Sequence, residues 1–165
     1  MAYQFYVSIK GTKQGMFRGE SLREQYKDKI PGLRFAYEVK SPRDVASGLA
    51  SGKHQHSFVA MTKQWGAATP QIFQACVTNE LLPSVLFEFM HTSPEGVEEV
   101  YHTVKLTNAS IAGIRQHIGD VDATAPAGQI DPNELETISF AFQTIEIENR
   151  TGKTAASDNW SAGRG

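Results

Sequence analysis

Along this chain apolar residues fall mostly at alternate positions, the pattern of strands with one buried face. In residues 3–10, Phe5, Val7 and Ile9 share one face, with Gln4, Tyr6, Ser8 and Lys10 opposite. Gly11-Thr12-Lys13-Gln14-Gly15 ends that strand, and the charged residues 16–34 read as an irregular surface connection closed by a Pro31-Gly32 turn. Alternation restarts at Phe35, Tyr37 and Val39. It is then interrupted by a polar stretch, 41–56, before residues 57–63 resume as a strand that is apolar on both parities.

Thr69 followed by Pro70 predicts a helix start, with Thr69 as N-cap and Pro70 at the first helical position. The helix is expected over about 69–81. Its apolar stripe is Ile72, Phe73, Cys76, Val77 and Leu81, and Pro83 stops it. Beyond it, Val85, Phe87 and Phe89 pair with Val100, His102, Val104 and Leu106 across the turn Ser93-Pro94-Glu95-Gly96, a hairpin. Ile111, Ile114 and Ile118 lean towards helical spacing, although Ala112, Ile114, Gln116 and Ile118 also fit a strand. Residues 119–133 are polar, small and Pro-containing, a loop. In the last strand, over 135–148, Ile138, Phe140 and Phe142 share one parity and Ile145 and Ile147 the other. That switch predicts a bulge or sharp bend near Gln143-Thr144. From Asn149 onward the chain reads as a polar tail interrupted by Trp160. Many strands, one helix and no strand–helix alternation make a mainly-β barrel or sandwich.

Composition narrows the function classes. The 165 residues carry 16 Lys and Arg against 18 Asp and Glu, so no net charge points to nucleic acid or an acidic membrane. The single cysteine, Cys76, excludes an intramolecular disulfide and fits a reducing compartment. No apolar run approaches the roughly 18 residues of a membrane-spanning helix. The N-terminus lacks the pattern of a signal peptide, so a soluble protein without a Sec-type leader is expected.

The stretch at 41–56 holds the residues that invite chemistry. A hairpin loop normally takes two to five residues, and one of about 16 is either functional or disordered. Gly48-Leu49-Ala50-Ser51-Gly52-Lys53-His54 falls short of a phosphate-binding loop: three residues separate the glycines, and His54 stands where Ser or Thr would reach a metal. His54 and His56 project to the same side of an extended chain, but His91, His102 and His117 are scattered singly. The pair reads as solvated loop histidines. Asp120-Val121-Asp122-Ala123-Thr124 opens like a calcium loop, yet Ala125 replaces the required Gly and Asp131 the closing Glu. Cys76 on the helix stripe reads as a buried, inert thiol, and no catalytic motif is present. The expectation is therefore no enzyme, no cofactor and no metal, and a loop built for contact.

Several segments carry a resemblance to a known family. They are Tyr37-Glu38-Val39, then Ser41-Pro42-Arg43-Asp44-x-Ala46-Ser47-Gly48 and Ser51-Gly52-Lys53-x-x-His56. With them go Thr62-Lys63-x-Trp65-Gly66-Ala67-Ala68-Thr69-Pro70-Gln71 and Thr78-Asn79-Glu80-Leu81-Leu82. The likeness continues in Glu98-Glu99-Val100-Tyr101-x-Thr103-Val104-x-Leu106-Thr107-Asn108-Ala109 and Glu134-Leu135-Glu136-x-Ile138-Ser139-Phe140-x-Phe142-Gln143-x-Ile145, and closes with Gly152-Lys153-Thr154-Ala155-Ala156-x-Asp158. In this order and spacing they resemble the haemolysin-coregulated proteins, Hcp, of bacterial type VI secretion.

The resemblance implies a β-barrel like that of phage tail-tube proteins, with one flanking helix and a long extended loop. It places a single domain over 1–150 and a polar C-terminal tail over 151–165, and makes residues 110–118 strand. It further implies homo-hexameric rings stacked head-to-tail, a contractile sheath, a spike protein at the tube tip, and secreted effectors carried in the lumen. Assembly is expected in the bacterial cytoplasm before export or delivery into target cells, without nucleic acid or membrane insertion. On this reading Lys40, Ser41, Pro42, Arg43, Asp44, Ser47, Gly48, Ser51, Gly52, Lys53, His54 and His56 form a ring-stacking arm. The alternative is a specialised Hcp-like effector or receptor-binding protein.

Overall fold

The computed structural model describes residues 4–118 and 134–160. Strands β1 (Gln4–Gly11), β2 (Gly15–Met16), β3 (Ile30–Gly32), β4 (Arg34–Ala36), β5 (Val39–Lys40), β6 (Gln55–His56) and β7 (Val59–Gln64) precede the helix α1 (Thr69–Thr78). After it come β8 (Leu82–Thr92), β9 (Glu98–Ile118), β10 (Glu134–Ala141), β11 (Thr144–Asn149) and β12 (Thr154–Asn159). The expected loop at 119–133, with its calcium-like start, lies outside the described residues.

The main sheet runs β2-β1-β8-β9-β10-β7-β4, all neighbours antiparallel. Its two sides meet on one stretch of chain. β3 pairs with β1 and, immediately after it, β4 pairs with β7, while the Leu33 N–H between them donates to the Thr62 carbonyl at 2.8 Å. The sheet thereby comes round into a barrel, the β-barrel fold expected. Pro31-Gly32, read as a turn, is instead part of β3, where a missing N–H is tolerated because little else pairs there. Gly32 is needed because a side chain there would run into the Phe5 ring, 2.1 Å from where its Cβ would stand.

Phe5, Val7 and Ile9 of β1, Val85 and Phe87 of β8, Val104 and Leu106 of β9 and Ile138 and Phe140 of β10 fill the interior. Phe5, Phe35, Phe87 and Phe89 pack as edge and tilted ring pairs at 5.1 to 6.3 Å. Tyr6, on the face of β1 read as polar, is also buried. The connection at 16–34 covers it, stacking Tyr26 on its ring at 4.4 Å.

Several irregularities bend the sheet, among them a register shift at Phe89-Met90 in the β8–β9 pairing. The chain breaks between β10 and β11 at Phe142-Gln143, where the parity switch predicts it. Opposite lies Asn108 with φ of 50°, the Gln143 N–H donates to the Thr107 and Asn108 carbonyls, and the inward side chains of β9 pass from Val104 and Leu106 to Ala109 and Ile111. A further register shift in the β9–β10 pairing lets Ser139 face Gly113 and Phe140 face Ile111, skipping Ala112. That extra residue puts Ile111 and Ile114 against the same core three positions apart. The helical-looking spacing is a bulged strand.

The helix departs from its expected ends. It stops at Thr78, with Asn79 left-handed at its C-cap (φ 52°) rather than running to 81. Thr69 is its first residue, not its cap. Ala68 holds the cap position, its N–H donating at 2.8 Å to the Glu20 carboxylate, while the Thr69 hydroxyl donates to Glu136 at 2.9 Å. Lys63, fully buried, ties this corner together. Its ammonium donates to Glu20 at 2.9 and 3.0 Å and to the Gln64 carbonyl at 3.0 Å, and pairs with Glu136 at 2.7 Å. The second carboxylate is offset by the positive end of the helix, the Ala68 N–H included, and by the Gln116 amide, 3.2 Å from Glu136.

Only Ile72 and Ala75 of α1 are buried and Cys76 is half-buried against the core, so the broad stripe is split. Phe73 and Val77, each 58 % exposed, and Leu81 face outward. The stretch 151–165, read as a polar tail, contains β12, which pairs along its whole length with β11.

Candidate functional site: an arm between two short strands

The connection at 41–54 leaves the barrel on its own two-stranded ribbon, separate from the main sheet. Val39 pairs with His56 and Lys40 with Gln55. Further out, Arg43 bridges to Ala50, the Ser51 N–H donates to the Pro42 carbonyl at 2.9 Å, and the Asp44 N–H donates to Leu49 at 2.8 Å. At the tip the Gly48 N–H returns to the Asp44 carbonyl at 2.8 Å, with Gly48 at φ 74°. The Asp44 carboxylate accepts from the Ala46 N–H at 2.8 Å, and the Ser47 hydroxyl from Leu49 at 3.3 Å. These short-range bonds explain the sequence: Asp, Ser and Gly each close the turn by their own chemistry. Gly52, at φ 150°, stands on the returning side before Lys53.

The ribbon is thus shaped but touches little of its own barrel. Lys40, Arg43, Asp44, Ser47, Gly48, Ser51, Gly52 and Lys53 are outside the core, and among the described residues Lys40 pairs with exposed Glu38 at 3.2 Å, an interaction worth little in water. Val45 is fully exposed and Leu49 largely so, which leaves two apolar side chains bare at the tip.

The base of the arm is different. His56, with a side chain only 2 % exposed, has its Nδ1 2.5 Å from the Tyr37 hydroxyl and its Nε2 2.7 Å from Asp158 Oδ2. Trp160 stacks over it at 5.9 Å and Phe142 meets it edge-on at 5.4 Å. His54 Nε2 lies 2.5 Å from the same Asp158 oxygen. Burial, and then the negative Asp158, push the Tyr37 hydroxyl up. Burial also works to raise Asp158, but the hydrogen bond from His56 and the close approach of His54 outweigh it and hold that carboxyl below its ordinary value.

His54 and His56 are therefore not solvated loop histidines. The structure separates the arm residues named from the sequence into a projecting part, 40–53, and an anchored part, His54 and His56. Asp158 was missed because it lies 102 residues from His56 in a stretch with no apolar alternation. Tyr37 carried a weak signal, an aromatic residue at the strand end next to the arm.

Residues 6–148 match a protein family described as type VI secretion system effector, Hcp. The major exported protein of Pseudomonas aeruginosa is 30% identical over 97% of this chain and 96% of its own length. Among solved structures, one described as an Hcp protein superposes with a TM-score of 0.85 at 23% identity, over 98% of this chain and all of that one. Hcp1 of E. coli EAEC 042 gives 0.83 at 21% identity, over 96% and 99% of the two chains. The secreted protein Hcp3 of Pseudomonas aeruginosa gives 0.78 at 26% identity, over 98% and 100%.

Proposed function

The chain belongs to the Hcp family of type VI secretion, and from that premise we propose that it is the subunit of a secreted tube, built from hexameric rings stacked head-to-tail through the arm at 41–54. The observation that carries this reading is the arm itself: a hydrogen-bonded ribbon held off the barrel with Val45 and Leu49 bare at its tip. Stacking identical rings needs two unlike, complementary surfaces, because a head-to-tail contact that does not close generates a filament. A stiff projection with an apolar point supplies one of them. Its backbone is already ordered by its own turn, so less conformational freedom is lost on docking than a slack loop would lose.

Within the ring, the outward face of α1 with Phe73 and Val77, and Leu81 just beyond it, forms one side of the contact between neighbours, and burial there removes an apolar stripe from water. The ring lumen accommodates secreted effectors, while the sheath and the tip spike are the further partners of the assembled tube. Assembly takes place in the bacterial cytoplasm, before export. The chain acts by assembly and carries no catalytic role.

Two measurements test this. Native mass spectrometry is expected to give a species of six times 18.2 kDa, and a strict monomer at micromolar concentration contradicts the ring. Deleting residues 45–52 is expected to leave the rings intact while abolishing stacks and export. Unchanged tubes remove the arm from the mechanism.

A further inference from the structure

We propose that His54, His56 and Asp158 form a binding site for a single divalent transition-metal ion of the zinc type, which fastens the returning strand of the arm to the C-terminal strand. Their donor atoms, two imidazole Nε2 and one carboxylate oxygen, lie within 4.8 Å of one another. Both nitrogens converge on the same oxygen, Asp158 Oδ2, at 2.5 and 2.7 Å. His54 Nε2 is enclosed yet makes no hydrogen bond, since its approach to that oxygen is outside hydrogen-bond geometry. A buried ring nitrogen left unsatisfied beside a carboxylate is what a cation between them would resolve.

The elements that hold the three donors suit the role. His54 and His56 are two apart on extended chain, so their rings leave the ribbon on one side. β12 supplies Asp158 through its pairing with β11, Asp158 standing opposite Ile145. The Tyr37 hydroxyl sits on His56 Nδ1, the outer contact that metal-bound histidines use to hold the ring and turn Nε2 towards the ion. Phe142 and Trp160 wall the same ring.

Chemistry narrows the ion. Two imidazoles with one carboxylate suit zinc, copper, nickel or ferrous iron, whereas calcium and magnesium select oxygen ligands. Zinc has no electronic preference among geometries and accepts three protein ligands with water in the fourth place. With bonds of about 2.0–2.1 Å, tetrahedral ligand atoms stand about 3.3 Å apart, so each nitrogen-to-carboxylate distance need open by less than about 1 Å. The partly exposed His54 ring is free enough to make that adjustment. Beside the cluster, an apolar cleft of about 180 Å³, lined by Tyr37, Val39, Ile145 and Ile147 together with His56 and Asp158, leaves space for the fourth ligand.

The test uses untagged full-length rings stripped with a chelator. Zn²⁺ alone is titrated by calorimetry, and Co²⁺ is followed by visible absorption. The expected result is one ion per chain at micromolar affinity or tighter, a four-coordinate cobalt spectrum, and at least about a tenfold loss of affinity in both His54→Gln and Asp158→Asn. His91→Gln, on the distant β8–β9 hairpin where His91 meets Glu99, is expected to bind as the parent does. Ring mass and circular dichroism confirm that each variant is assembled. Absence of saturable uptake by the stripped parent overturns the site. So does uptake that both cluster variants retain, or that His91→Gln loses equally, since that marks ordinary surface histidines.

Discussion

The arm at 41–54 and the corner beneath α1 are both built from polar and charged residues, and they use them in opposite ways. At the corner Lys63, Glu20 and Glu136 come from three distant parts of the chain and are sealed from water, each charge answered by another or by the helix start. Along the arm, Asp44, Ser47 and Gly48 bond to one another or to their near neighbours Ala46 and Leu49, through bonds that span a few residues. A buried charge network of this kind fixes where elements sit, because any missing partner leaves a charge stranded at low dielectric. Among the described residues the arm has no such tie until its base, so its outer part is held in shape and left available. Similar composition therefore serves internal order in one place and contact with another molecule in the other.

The sharpest way to break this contrast is at the corner. Lys63→Met leaves two buried carboxylates without their cation and is expected to destabilise the fold by about 3–5 kcal/mol in urea unfolding. A loss below about 1 kcal/mol would place Lys63 among ordinary surface lysines. Glu20→Gln keeps the size but removes the charge that meets the Ala68 N–H and Lys63, and a smaller loss of about 1–3 kcal/mol is expected by the same measurement.

A third variant probes pH. Burial alone raises the Glu80 carboxyl, but the N–H groups of Gln14 and Lys13, each 3.0 Å away, and the Gln14 amide outweigh it, so the carboxyl is held below its ordinary value. A folded value below the unfolded one means stability that is full at neutral pH and is lost as acid carries the solution down through the depressed value. Glu80→Gln is thus expected to be less stable at neutral pH, with a flatter acid limb in unfolding midpoints taken across a pH series. Parallel curves would show that Glu80 does not contribute in this way. The smallest expected effect on the fold comes from the arm. Val45→Glu with Leu49→Glu should shift stability by no more than about 0.5 kcal/mol, yet shorten or abolish tubes seen by electron microscopy.

How far these two regions could be read from the sequence follows from the range of their interactions. Phe5-Val7-Ile9, the β8–β9 hairpin with Gly96 at φ 81° and the break at Gln143 were legible because alternation and turn chemistry are local. The arm was legible as an interruption of that alternation. Residues 110–118 misled by periodicity because the bulge at Ala112 moves Ile114 onto the parity of a helix. β12 went unread since its residues are mostly exposed and pair with β11 without an apolar face of their own. The corner and the His54-His56-Asp158 cluster share one reason for being missed. Their acidic partners lie 43 residues or more away, and nothing in a local window marks a lysine that is buried or an aspartate that meets two histidines.

The most direct measurement of the central claim is amide hydrogen exchange along the arm, compared between isolated rings and assembled tubes. Residues 44–51 are expected to exchange quickly in rings, where the ribbon's bonds are open to water, and to become strongly protected in tubes, while the barrel strands stay unchanged. Equal exchange of that segment in both states would contradict a stacking role for the arm.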